Sequence, residues 1–216
     1  MIPRPVLRLA ASAAVLTALS GCALLSSPDP VQNYRFGLPM AAPSAVGDTP
    51  APLTVSIRRI EFPQATGDDK ILGVTGLETA YIGGARWVSP ASTLFDDSLK
   101  AAFANRADRI RVLGRREPGT PPLILQVTVT TFEARYAAPG AVPDVVVTAR
   151  AQLRSTPERR AGGGTIRPEE GRSVERVFTV TQPAGDNRVS AIVAAFDTAT
   201  RDINTQIADW TIASAN

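Results

Sequence analysis

The chain has no histidine and one cysteine among its 216 residues. Without an imidazole there is no Ser-His-Asp triad, no Cys-His dyad and no histidine-based zinc site, which removes most familiar hydrolase chemistries. A lone cysteine cannot close a disulfide within the chain. Lysine is nearly as scarce: Lys70 and Lys100 are the only two, so arginine carries almost all the positive charge. The uncharged run Leu9 to Leu19 is about half the ~20 residues a helix needs to cross a bilayer.

That short run reads instead as an export signal. Arg4 and Arg8 give it a positive start. It ends in Leu19-Ser20-Gly21-Cys22, which resembles the lipobox cut by the lipoprotein signal peptidase. Small residues at Ser20 and Gly21 let the backbone enter a narrow protease groove, and Cys22 supplies the thiol that takes a diacylglyceryl group. The alternative is a signal peptide that ends by chance beside a core cysteine. Four coincident features favour the lipobox: a charged start, an apolar run, small residues and the single cysteine. The expectation is therefore cleavage before Cys22, acylation of its thiol, and a membrane-tethered periplasmic protein. A cysteine consumed by lipid leaves no thiolate for catalysis or metal binding.

Loss of residues 1–21 removes two arginines and no acid from 23 basic and 20 acidic residues, leaving a net charge of +1. A near-neutral balance argues against a nucleic-acid partner, which needs a concentrated basic face. Residues 23–52 are rich in Ala, Pro, Ser and Gly and read as a tether, interrupted at 31–38 by a candidate edge strand. The folded domain is expected over 53–213.

Within it, Leu53, Val55 and Ile57 alternate with polar residues as in a half-buried strand. Ile71–Val74 and Thr79–Ile82 read as two short strands around Thr75-Gly76, broken by Gly83-Gly84. A helix follows, with Ser89 as N-cap and Pro90 in its first turn, ending near Asn105. Strands are expected at Ile110–Leu113, Leu123–Thr131, Val145–Leu153 and around Val174, Phe178 and Val180. Ser155–Gly171 reads as a mobile hairpin tip. A long closing helix carries Val189, Ile192, Val193, Phe196, Ala199, Ile203, Ile207 and Trp210 on one stripe. The sum predicts an α+β domain, with a mainly antiparallel sheet and two amphipathic helices packed on one face.

Chemistry-bearing groups are few. Asp68-Asp69, Asp96-Asp97 and Glu169-Glu170 are paired acids, but neighbours in sequence diverge on a strand or helix and read as solvated surface. Arg58-Arg59, Arg115-Arg116 and Arg159-Arg160 read as surface charge, with anionic lipid or an acidic partner as the functional alternative. Gly162-Gly163-Gly164 lacks the Gly-Lys-Ser/Thr ending of a phosphate loop. Arg86 and Trp87 carry two readings: a structural lock between strand and helix, and an interface contact. No catalytic group, metal site or cofactor is expected, and the chain reads as a non-enzyme.

Taken together, the lipobox, the Tyr34–Leu38 segment and the strand with Val55, Ile57, Ile60, Phe62 and Pro63 form a recognisable order. Asp69-Lys70-Ile71-Leu72, Arg86-Trp87 before a helix, and the C-terminal amphipathic helix continue it. Over roughly residues 31–213 this resembles the ABC-type transport auxiliary lipoproteins, which accompany Mce-domain proteins, including paraquat-inducible intermembrane transport systems. The resemblance implies a non-enzymatic accessory that docks an Mce-domain protein in the movement of lipids or other hydrophobic molecules. Ala23 after the lipidated cysteine favours the periplasmic face of the outer membrane over the inner membrane. The competing expectation is a structural or assembly lipoprotein of another envelope machine, such as a pilotin or an outer-membrane insertion partner.

Overall fold

A computed structural model describes residues 30–37, 53–114, 121–155 and 171–215. Ten elements follow from these segments. The strands are β1 (Gln32–Tyr34), β2 (Leu53–Ile57), β3 (Lys70–Thr75), β4 (Glu78–Trp87), β5 (Ile110–Val112), β6 (Leu123–Tyr136), β7 (Asp144–Ser155) and β8 (Ser173–Pro183). The helices are α1 (Ala91–Ala104), between β4 and β5, and α2 (Val189–Ala215), after β8.

All eight strands join one sheet, and β6 is its spine. One edge of β6 pairs antiparallel with β7, which pairs antiparallel with β8. The other edge is shared. Its first residues pair in parallel with β2 and its last with β3, while Glu61 bridges to Thr128 between them. Beyond β2 lies β5, and beyond β3 lie β4 and then β1.

The expected mainly antiparallel sheet is thus corrected to a mixed one. Parallel pairs (β1–β4, β2–β5, β2–β6, β3–β6) outnumber antiparallel ones (β3–β4, β6–β7, β7–β8) four to three. The reason is connectivity. Hairpins make neighbours antiparallel, but a strand that returns to the sheet after a hairpin and a helix can enter in the same direction as its partner. Residue alternation reports which face is buried and carries no record of that direction.

Two bulges also displaced the expected boundaries. Gly83-Gly84 does not break β4: the pairing with β3 shifts register between Lys70 and Leu72, and Gly84 takes up the irregularity at φ +66°. In β6 the register shifts between Val129 and Thr131. Core positions therefore change from odd (Leu123, Leu125, Val127, Val129) to even (Phe132, Ala134), and the strand continues five residues past Thr131.

Both helices cover the same face. Phe62 contacts Phe95 of α1 at 5.5 Å and Phe132 of β6 at 5.6 Å, and Phe132 contacts Phe196 of α2 at 4.8 Å. The 27 residues of α2 span ~40 Å at ~1.5 Å each, close to the ~40 Å of the twelve-residue β7 beneath it. Val145, Val147, Ala149, Ala151 and Leu153 of β7 are buried against Ile192, Phe196, Ala199, Ile203 and Ile207. No described helix is long and apolar enough to cross a membrane.

Candidate functional site

The segment before α1 is built around three carbonyls. Gly67 accepts from the Ser92 N–H and hydroxyl, Asp68 from the Ala91 N–H, and Asp69 from the Trp87 N–H at 2.7 Å. The bonds to Gly67 and Asp68 satisfy N–H groups that a helix start leaves open, and the bond to Asp69 fixes the end of β4. They also displace the expected cap: Pro90 occupies the N-cap position, and no side chain caps the helix. Asp68-Asp69 therefore acts here through its backbone. The Asp69 carboxylate pairs with Arg86 at 2.8 Å, with both side chains about half exposed.

Trp87 points inward and is 2% exposed. Its ring meets Phe36 at 4.8 Å and Phe196 at 5.4 Å, both edge-on, so one residue ties β4 to the chain after β1 and to α2. Its indole N–H has no protein acceptor. The neighbouring Arg86 faces solvent. The structure thus places the two adjacent residues on opposite sides of the strand, and only Arg86 is accessible to a partner.

Sequence reading gave no sign of the crossing at Gly37. This residue adopts φ +73°, donates its N–H to the Asp197 carboxylate at 2.8 Å, and lies so close to α1 that a Cβ would fall 2.6 Å from that of Ser98. Beside it a polar groove of about 390 Å³ runs between α1 and α2, lined by Ser98, Asn105, Arg201, Asp202 and Thr205. Asn204 lies at its base, fully buried, with no protein partner for either amide atom. Farther along, Arg106 forks onto Asp209 at 2.6 and 2.9 Å, joining the end of α1 to α2. Hydrogen bonding to Arg106 is the main cause holding the Asp209 carboxyl below its usual range.

A second groove, of about 340 Å³, lies between the β3–β4 hairpin and the start of α2, lined by Gly73, Tyr81, Ile82, Tyr136 and Val189. Burial raises the Tyr136 hydroxyl above its ordinary range. Among the described residues, no three acidic or cysteine side chains come together as a metal site. Asp96 pairs with Lys100 one helical turn on, and Arg58-Arg59 is exposed. Leu19, Ser20, Gly21 and Cys22 lie outside the described residues, as do Arg115-Arg116, Arg159-Arg160, the triple glycine and Glu169-Glu170. So does nearly all of the expected hairpin tip at Ser155–Gly171.

A family model described as an ABC-type transport auxiliary lipoprotein component matches residues 34–208. Among solved structures, protein XCC0632 from Xanthomonas campestris is similar, with a TM-score of 0.62 and 23% identity. That match covers 81% of this chain and 95% of the other. The crystal structure of an uncharacterized protein is also similar, with a TM-score of 0.58 and 18% identity over 74% of this chain and 94% of its own. At such identities the two structures speak for the fold alone. No curated protein matches the chain.

Proposed function

Since this chain belongs to the family of ABC-type transport auxiliary lipoprotein components, we propose that it is a lipid-anchored, non-enzymatic accessory of an envelope transport system, docked to an Mce-domain protein. The system moves lipids or other hydrophobic molecules, and the accessory sits on the periplasmic face of the outer membrane. The observation that carries this reading is the match over residues 34–208 downstream of Leu19-Ser20-Gly21-Cys22. Family and anchor signal are independent features of the chain, and both point to a lipoprotein. Ala23 after the cysteine supports the outer membrane.

The architecture suits docking. A sheet backed by two helices on one face leaves its other face, its edges and its loop ends for contact. Polar side chains such as Gln126, Thr128, Thr148 and Thr179 line the uncovered face. A polar contact surface of this kind is ordinary for a non-obligate partner.

The test is crosslinking and affinity capture of the intact lipoprotein from its native membranes, with mass spectrometry of the mature amino terminus. The reading expects an acylated Cys22 and an Mce-domain protein in the captured set. Cys22→Ala is expected to release the protein from the membrane and impair transport. Capture of a secretin or barrel-assembly protein, with lipid traffic unaffected, would instead assign the chain to another envelope machine.

A further inference from the structure

β8 ends the sheet. It pairs with β7 on one side, and among the described residues no backbone group pairs with it on the other. Which of its residues face outward follows from two bonds just beyond its ends. Ser155 donates its N–H to the Arg172 carbonyl at 2.9 Å, and Ala184 donates to the Pro143 carbonyl at 3.0 Å. Antiparallel strands exchange hydrogen bonds at every second pair, and the register runs without a shift from Asp144 beside Pro183 to Arg154 beside Ser173. The even-numbered residues of β8 therefore bond to β7. Ser173, Glu175, Val177, Thr179 and Thr181 turn both N–H and carbonyl outward. Pro183, with no N–H to offer, falls in the outward set, where a sheet tolerates proline.

An open edge of this length is a template for a further strand. Charge guards it only at Glu175 and Arg176; from Val177 to Gln182 there is no charged residue, proline or glycine. Val, Phe and Thr in that stretch are strong strand formers. The outward residues are all exposed. Val177 is 56% exposed, the one large apolar side chain of β8 so open to solvent. It stands midway between Ser173 and Thr181.

We infer that β8 pairs antiparallel with β8 of a second copy of this chain, about a twofold axis at Val177. The strand's own pattern selects that occupant. In this register Val177 meets Val177 of the second copy, Glu175 meets Thr179, and Ser173 meets Thr181. Every outward group from 173 to 181 is then paired, in about ten hydrogen bonds. On the other face Arg176 comes opposite Phe178, a cation–aromatic pairing that β8 already makes within one chain at 5.1 Å. Sliding the register toward the start of β8 sets Arg176 against Arg176, or Glu175 against Glu175, which like charge disfavours. Sliding it the other way brings Pro183 opposite a residue whose carbonyl it cannot serve. The favoured register thus maps the strand onto itself, and such a contact closes at two copies. Nothing in this inference depends on the transport or anchor readings above.

The full-length chain in detergent provides the test, with light scattering for mass and urea unfolding for integrity of the fold. A dimer that dissociates on dilution is expected. Val177→Lys sets two like charges face to face, and Val177→Pro removes an outward donor without touching a bond to β7. Each should weaken dimerisation by about tenfold or more. Val177→Lys changes an exposed side chain and should leave the urea midpoint in place, which keeps the test decisive if the proline lowers it. Register is read by mild oxidation of cysteine variants, with the wild-type chain treated alike to account for Cys22. Val177→Cys should form a disulfide dimer, since its Cα atoms meet at ~5.5 Å across the axis. Ser173→Cys and Thr181→Cys should crosslink when mixed and not alone, because each lies ~27 Å from its own counterpart.

A monomer at every concentration overturns the inference. So does a dimer or larger ring that ignores both Val177 variants, which places the interface elsewhere. Ser173→Cys closing on itself overturns the antiparallel register. A chain that is monomeric in detergent, and whose Val177→Cys variant crosslinks to another protein in native membranes, overturns the second copy in favour of a partner's strand.

Discussion

At the scale of single residues, Gly37 is the described glycine at which an added side chain would meet its neighbours most closely. A side chain there meets two obstacles: the left-handed backbone, which disfavours any L residue by ~1–2 kcal/mol, and the Ser98 Cβ at 2.6 Å. Gly37→Ala is expected to destabilise the fold by about 2–4 kcal/mol, read as a lower urea midpoint. Adding Ser98→Gly should return part of the loss, because it removes the steric obstacle and leaves the backbone one. Asp209 makes a pH-dependent contribution of a different kind. Its folded-state pKa is lowered, chiefly by hydrogen bonding to Arg106. Its stabilisation is therefore present above the unfolded carboxylate pKa and is lost as pH falls through the lowered folded value. Because Asp209 is half exposed, Asp209→Asn should cost only about 0.5–1 kcal/mol at neutral pH. Denaturation series for the two proteins should converge in acid below the ordinary carboxylate range.

At the scale of elements, Phe132 is the position through which β6 holds the helices. It touches Phe36, Phe62, Trp87 and Phe196. Phe132→Ala should cost about 3–5 kcal/mol in urea unfolding, since four rings lose a neighbour and the sheet beneath cannot collapse to fill the space. The element list itself was legible in residue pattern. Period-two alternation marked β2, β6, β7 and β8, and the stripe from Val189 to Trp210 marked α2. Pairing was not legible, because β6 shares one edge between β2 and β3, an arrangement made by contacts distant in sequence. The cap of α1 differs from the expected Ser89 for a similar reason: the backbone carbonyls of Gly67 and Asp68 do the capping, and carbonyls leave no signature in side-chain identity. Trp87 stood out from its place before the helix, whereas Gly37 gave no local signal. Its constraint comes from Ser98 and Asp197, both far along the chain.

At the scale of the whole molecule, stability is distributed unevenly. β6 and β7 pair along their full lengths beneath α2, whereas β1 and β5 are three-residue strands at the margins. Native-state hydrogen exchange should reflect this difference. Amides of Val127 and Val147 are expected to exchange only through global unfolding, and those of the marginal strands through local opening with far smaller protection. Uniform protection across the sheet would contradict that hierarchy. The placement of Phe36 adds a mechanical consequence. Tension applied from the amino-terminal side would load the three-residue β1 ladder in shear, and the ring of Phe36, wedged between Trp87 and Phe132, would act as the rivet that resists it. Pulled in a force spectrometer from that side, the chain should yield first at residues 32–37, and Phe36→Ala should lower the yield force while the remainder of the fold stays shut.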